Sequence, residues 1–341
     1  MQAKPRFSDK LSHWGTRAFF EGASLFGRLM PEANPRRHGV EVVRNVPYLP
    51  GGEPRHRLDV YRPVERADPL PIVVYLHGGG FSMLSKDTHW VMALSFARAG
   101  YVVFNIGYRL APLHPFPAAL EDVSEALAFV AQHAAAYGGD LERLVLAGES
   151  AGANLACSVA LMACYHRPEP YARRVFDSGI VPRAVIAACG FLQVSDPLRL
   201  SRRRKVPSWV QRMQSTVSQS YLGALRDGTE LADPLLILEQ NLPSARPLPA
   251  FFAFAGTRDP VLDDTRRLAA ALARAGVPHE AHYYKGELHA FHALVFLPAA
   301  QACWRAQLAF LTRVLGLPPS RRASEATGPW PSADACRSAA S

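Results

Sequence analysis

A serine flanked by glycines is the first feature of the sequence that points to chemistry. GESAG at 148–152 fits the pattern G-x-S-x-G, and it lies between the apolar run 144–147 and a helical pattern that begins at Ala151. Such a turn between strand and helix exposes its serine and requires small residues two positions away on either side. The helix N-terminus also favours developing negative charge. We therefore predict that Ser150 is a nucleophile.

A second glycine-rich turn, HGGGF at 77–81, follows the apolar run 72–76. Consecutive glycines let backbone N–H groups point at an oxyanion without interference from side chains. A phosphate-binding loop is disfavoured because no Gly-Lys-Ser/Thr sequence follows. We expect His77 and Gly80 to hold the turn in shape. The predicted oxyanion donors are the N–H groups of Gly78, Gly79 and Ala151.

A serine hydroxyl needs a base to accept its proton, and the base needs a carboxylate to orient it. Where the serine lies in a G-x-S-x-G turn, the acid and then the base follow it along the chain. Asp259, a short loop after the apolar run 250–255, is the predicted acid. Asp263 and Asp264 are rivals, but their spacing before Leu268 suits the first turn of a helix.

The predicted base is His289, which lies just past Gly286 and a few residues after the last predicted strand. His292, three residues further on, is the alternative. The sequence HEAH at 279–282 does not match the zinc pattern H-E-x-x-H and falls in a predicted strand. We therefore expect neither a metal nor an organic cofactor.

Short apolar runs alternate with Ala- and Leu-rich helical patterns through most of the chain. Repeated alternation of this kind predicts an α/β fold with a mostly parallel sheet and helices on both faces. The first two strands should be an antiparallel start to the sheet. The predicted strands are 40–48, 58–62, 72–76, 102–108, 144–147, 185–189, 250–255 and 279–284, and the predicted helices are 89–99, 118–137, 151–166, 263–275 and 299–315.

Two segments, 1–38 and 196–243, interrupt the alternation of strands and helices. We interpret them as two parts of a helical cap over the carboxyl edge of the sheet. Ligands of open α/β sheets bind at that edge. The catalytic domain is then 39–195 and 244–317. The Pro- and Ser-rich tail, 318–341, should be disordered. We expect one apolar helical face in the cap to close a small pocket. That face comprises Trp209, Val210, Met213, Val217, Tyr221 and Leu222.

The 341 residues carry a formal charge of +9, with the densest basic run at 202–205. A solvated cap surface is one explanation of that run, and weak association with an anionic membrane is the other.

We expect no nucleic-acid partner, and a homodimer is compatible with the sequence. The five cysteines are odd in number and form no C-x-x-C pair, which favours reduced thiols. With no signal-peptide pattern and no long apolar run, a cytoplasmic protein is predicted.

The motifs HGGGF, GESAG and DPVLDD (259–264), with the segment 108–123, resemble those of the hormone-sensitive-lipase-like family of carboxylesterases, from about Leu58 to Phe310. The resemblance implies an eight-stranded, mostly parallel sheet with an N-terminal helical cap. It also implies the triad Ser150, Asp259 and His289 and the oxyanion donors named above. Glu149 lies where the family has an acid, and its expected role is to hydrogen-bond around the oxyanion turn.

The chain departs from the family at three positions. Leu113 replaces a usual acid, Glu287 a frequent Met and Ala290 a frequent Gly, so the loop that holds His289 is expected to be set differently. The expected activity is a serine esterase acting on short- to medium-chain esters through an acyl-enzyme. A lipase or an amide hydrolase could use the same triad. A non-catalytic ligand receptor of this fold is disfavoured because all three triad positions are filled.

Overall fold

The computed structural model of the chain describes residues 22, 24, 27, 28, 30–65, 69–203, 206–225 and 227–318. Most of the predicted N-terminal cap segment and nearly all of the predicted tail lie outside these residues, as do Arg204 and Lys205 of the basic run. No helix within the described ranges combines the length and the apolar character needed to cross a membrane.

Eight strands form one sheet in the order β1-β2-β4-β3-β5-β6-β7-β8. β2 is antiparallel to both β1 and β4, and all other neighbours are parallel. The predicted α/β fold, with its antiparallel start, is therefore confirmed. The strands are β1 Val40–Pro47, β2 Arg57–Pro63, β3 Leu70–Leu76, β4 Val102–Ile106, β5 Gly139–Glu149, β6 Ala184–Ala188, β7 Ala250–Gly256 and β8 His279–Tyr284.

Nine α-helices have both ends within the described residues, and there are also short 3₁₀ turns and further helical residues between 22 and 28. Helix α3 follows the serine turn and packs against β5 and β6. Every one of its residues is buried. The helices are α1 Trp90–Arg98, α2 Ala118–His133, α3 Ala151–Cys164, α4 Pro170–Asp177, α5 Arg199–Arg203, α6 Ser208–Leu222, α7 Pro234–Glu239, α8 Leu262–Arg274 and α9 Pro298–Val314.

The order of the strands places the turn that follows β3 beside the turn that follows β5. β3 pairs directly with both β4 and β5, so the turn after β3 and the turn after β5 are neighbours at the carboxyl edge. Parallel pairing of β5 to β8 brings the ends of β7 and β8 to the same edge. Crevices at such a point are where open α/β sheets bind ligands.

Helix α6 lies in the segment predicted to be a cap, and its six apolar residues differ in their exposure. Val210 and Tyr221 are buried, whereas Trp209 is 62% exposed and Met213 is 42% exposed. The helix packs against the domain through a mixed stripe that also buries Gln214 and Ser218. The buried side of α6 therefore coincides only in part with the predicted apolar face, and the Ser218 hydroxyl donates to the Val194 carbonyl on that side.

Candidate active site

Ser150 lies in a strained turn between β5 and α3. Its φ of 55° and ψ of −111° are unusual for a residue with a side chain. A Cβ on Gly152 would lie 2.0 Å from the Leu76 carbonyl oxygen, and one on Gly148 would lie 2.3 Å from the Gly152 carbonyl oxygen. Only glycine fits at either position. The turn is anchored by the Ser150 N–H, which donates to the Ala188 carbonyl at 2.9 Å.

The structure brings the predicted acid and base into contact. Asp259, in the loop after β7, is fully buried, and its two carboxylate oxygens lie 3.0 and 2.9 Å from Nδ1 of His289 in the loop after β8. Because a carboxylate only accepts, Nδ1 carries the hydrogen and Nε2 is left to accept a proton. Burial opposes protonation of the His289 ring, but the Asp259 carboxylate outweighs it and raises the pKa of His289 well above 6.5.

The rival acids are engaged elsewhere. Asp264 is fully buried, accepts from the Leu192 N–H at 2.9 Å and forms an ion pair with Arg199. Asp263 lies in the first turn of α8 and pairs with Arg266 of the same helix. Both contacts stabilise α8 and its attachment to the domain.

The rival base, His292, faces a different carboxylate. Its Nε2 lies 3.5 Å from Oε2 of Glu149, and its ring packs edge-on against Phe254. Burial lowers the pKa of His292 to about 4, although Glu149 acts in the opposite direction. His292 is therefore a neutral, enclosed ring behind the serine turn.

The oxyanion turn is held by two histidines, and the structure corrects one predicted donor. The N–H of Gly78 donates to Nε2 of His89 at 3.1 Å, which takes the only hydrogen that this nitrogen has. The prediction that Gly78 donates to an oxyanion is therefore wrong. Within the described ranges, no acceptor takes the N–H groups of Gly79, Gly80 or Ala151. His89 was missed because nothing in its spacing along the chain links it to the glycine turn.

His77 holds the same turn from the other side. Its Nδ1 donates to the Gly78 carbonyl at 2.7 Å, and its ring stacks on Tyr108 with 4.1 Å between centroids. The Tyr108 hydroxyl donates to the His77 carbonyl at 2.6 Å. Burial lowers the pKa of His77 well below 6.5, so that the ring is neutral. These contacts fit a supporting role and leave it no part in proton transfer.

Glu149 is a buried carboxylate between two imidazoles. Its Oε1 lies 3.7 Å from Nε2 of His89, and its Oε2 faces His292. A Cβ on Gly78 would lie 3.0 Å from Oε1 of this carboxylate. The carboxyl group of Glu149, one residue before Ser150 in the chain, therefore packs against Gly78.

Cys189, immediately after β6, is a neighbour of the acid and base that the sequence did not reveal. Donor atoms of Cys189, Asp259 and His289 lie within 4.8 Å of one another, and this is the one cluster in the described part of the chain whose donors could hold a metal ion. Burial raises the pKa of the Cys189 thiol. A metal there would occupy the acid and base instead of leaving them available for proton transfer.

Comparison with known proteins gives the same family throughout. A family model described as alpha/beta hydrolase fold matches residues 73–293. The carboxylesterase NlhH of Mycobacterium tuberculosis is 34% identical over 265 residues, which are 75% of this chain and 77% of that protein. An acetyl esterase of Salmonella schwarzengrund is 30% identical over 71% of this chain and 70% of that protein.

Two solved esterase structures have a fold similar to that of this chain. The esterase LipW from Mycobacterium marinum superposes with a TM-score of 0.69 at 28% identity, covering 89% of this chain and 90% of that one. A hyperthermophilic esterase from Pyrobaculum calidifontis gives 0.67 at 26% identity, covering 89% and 93%. The chain belongs to the hormone-sensitive-lipase-like family of α/β-hydrolases and is a carboxylic ester hydrolase.

Proposed function

We propose that the protein hydrolyses short- to medium-chain carboxylic esters by two-step acyl transfer. Ser150 is the nucleophile, His289 the general base and Asp259 the carboxylate that orients it. The observation that carries the proposal is the contact between Asp259 and His289 at the sheet edge where the Ser150 turn also lies. With the ring hydrogen on Nδ1, the neutral imidazole has its lone pair on Nε2, where it can accept a proton.

In the first step, Nε2 of His289 takes the proton of the Ser150 hydroxyl while the oxygen attacks the ester carbonyl. The carbonyl oxygen becomes an oxyanion, and we assign its donors to the N–H groups of Gly79, Gly80 and Ala151. Collapse of this intermediate breaks the bond to the alcohol, which receives the proton from His289. Water then attacks the acyl-enzyme by the same sequence of transfers and releases the acid.

The position of α6 supports the preference for short acyl chains. A Cβ on Gly80 would come within 2.8 Å of the Val217 side chain, and the Phe81 and Tyr221 rings stack at 3.7 Å. The helix thus covers the oxyanion turn closely and limits the space beside it. Each buried methylene contributes about 0.8 kcal/mol until the pocket is full, after which longer chains clash. An acetyl esterase among the relatives is consistent with this range.

The test is kcat/KM for p-nitrophenyl esters from acetate to palmitate, with Ser150→Ala as the control for background hydrolysis. We expect a maximum between about C2 and C8 and a sharp fall beyond it. A steady rise through palmitate, with activation on emulsified triglyceride, would instead make the protein a lipase. Faster cleavage of matched anilides than of esters would indicate an amide hydrolase.

We also propose that 196–243 acts as a cap on the catalytic domain formed by 39–195 and 244–317. The contacts of α6 with the oxyanion turn support this division.

A reducing location such as the cytoplasm is proposed because the four cysteines among the described residues are buried free thiols. Weak membrane association and a homodimer stay predictions, and Arg202 of the basic run already pairs with Asp196.

A further inference from the structure

We propose that His89 is a positioning residue for the oxyanion hole. Through the lone pair of its Nε2 it holds the Gly78 N–H, and by doing so it helps to direct the N–H group of Gly79 toward the developing oxyanion. This role rests on the proposed acyl-transfer mechanism. His89 itself touches no reacting atom.

The hydrogen-bond partners of His89 determine which of its nitrogens carries the hydrogen. Nδ1 lies 3.2 Å from the Ser85 carbonyl oxygen, which can only accept, and 2.9 Å from Oγ1 of Thr88. Oγ1 donates its own hydrogen to the Ser85 carbonyl at 2.7 Å and so has a lone pair for Nδ1–H. Nδ1 is therefore the donor.

With its hydrogen on Nδ1, the neutral ring presents a lone pair at Nε2, which accepts from the Gly78 N–H at 3.1 Å. The other tautomer, or the protonated ring, would set an N–H of His89 against the N–H of Gly78 and lose that bond. His89 is only 5% exposed, so water could not readily replace the lost acceptor. Thr88 thus selects the form of His89 that can hold the turn.

Gly78 is fixed at both of its polar atoms. His89 holds its N–H, His77 holds its carbonyl at 2.7 Å, and Glu149 packs so closely that a Cβ would lie 3.0 Å from its Oε1. The next residue, Gly79, has φ of +113°, and its carbonyl accepts from the N–H groups of Ser82 and Met83 at 3.1 and 3.0 Å. The N–H of Gly79 belongs to the same planar peptide as the Gly78 carbonyl, so its direction depends on how firmly Gly78 is held.

The test uses His89→Leu, which removes the acceptor, and His89→Gln, whose amide oxygen can take the place of Nε2. Removing one oxyanion donor outright costs about 10²–10³-fold in kcat. Loss of alignment should cost less, so we expect His89→Leu to lower kcat by about 10- to 100-fold with KM within about threefold. His89→Gln should recover kcat to within about fivefold of the unmodified protein.

Two further variants keep the result interpretable. Thr88→Val removes the hydrogen bond of Oγ1 to Nδ1 of His89 and should lower kcat several-fold, with folding of the variant checked by its melting temperature. His133→Leu, at an exposed histidine at the end of α2, is the matched control and should change neither kcat nor KM. Affinity for a trifluoromethyl ketone, which forms a tetrahedral oxyanion, should fall in parallel with kcat/KM.

The idea is overturned if His89→Leu and Thr88→Val both keep kcat within twofold, or if His89→Gln is as impaired as His89→Leu. Should His89→Leu fail to fold, the other two variants still decide. Ser150→Ala is assayed in parallel. If the unmodified protein hydrolyses esters no faster than Ser150→Ala, the proposed function itself is contradicted. If the unmodified protein is active but substitution of His89 and Thr88 leaves kcat unchanged, only this positioning role is contradicted.

Discussion

His289 and His292 are three positions apart but meet different carboxylates, and this difference can be measured. His289→Gln should reduce ester hydrolysis to background, because the Nδ1 contact with Asp259 and the free Nε2 are both lost. His292→Gln should keep kcat within about tenfold, since its ring faces Glu149 behind the serine turn. Melting temperatures of both variants would show that each is folded. The opposite ranking would assign the base to His292.

The raised pKa of His289 fixes the direction of the pH dependence. The base must be neutral to accept a proton, so kcat/KM should rise with pH and reach half its maximum above pH 6.5. Asp259→Asn should move that midpoint down and lower kcat by about 10⁴-fold. A midpoint below 6.5 in the unmodified protein would contradict the account of the Asp259 contact.

The raised pKa of His289 also affects the stability of the folded protein. Because the pKa of His289 is higher in the folded protein than in the unfolded chain, its contribution to stability is present in full below about pH 6.5. That contribution is lost as the pH rises through the folded-state pKa. The protein is thus expected to be slightly less stable at the pH where it is most active.

At the residue level, the sequence identified positions whose chemistry follows from local order. Ser150 could be recognised because a strand, a G-x-S-x-G turn and a helix are contiguous. Gly78 was assigned wrongly because its hydrogen-bond acceptor, His89, is set by folding and not by spacing. Ala290, where the family often has Gly, adopts φ of 58° directly after His289, a left-handed conformation that glycine adopts more readily.

At the level of elements, the glycines of the serine turn are expected to be indispensable to its shape. Gly152→Ala should lower the free energy of unfolding by about 3 kcal/mol or more, because its Cβ would overlap the Leu76 carbonyl oxygen. Gly276→Ala is a control with φ of +65° and open space, where only left-handed strain of about 1 kcal/mol applies. Urea unfolding would compare the two. Equal losses would mean that contact with β3 does not shape the turn.

Most strands and long helices could be placed from periodicity because their apolar patterns match their buried faces. β8 was predicted with its observed bounds, whereas β5 begins five residues before the predicted strand. Its first residues are largely polar and pair with Leu70 and Pro71 of β3, a contact invisible to local pattern. The short helices α4 and α7 were missed because six to eight residues carry too little periodicity to distinguish them from a loop.

At the level of the whole molecule, the sheet order assembles the site. Ser150, Asp259 and His289 are separated by up to 139 positions, yet they follow β5, β7 and β8 at one edge of the sheet. Strand–helix alternation predicts a parallel sheet but leaves the order of its strands open. The order is seen only in the structure, as is the orientation of α6, because both depend on contacts between segments distant in the chain.

The most direct test of the account is covalent labelling with a fluorophosphonate, followed by peptide mass spectrometry. The probe requires a serine that is activated by a base and faces an oxyanion hole. We expect a single adduct on Ser150 in the native protein and none in Ser150→Ala, with folding of the variant checked by its melting temperature. Labelling of another serine, or no labelling of a folded native protein that hydrolyses esters, would contradict the assignment of Ser150 as the nucleophile.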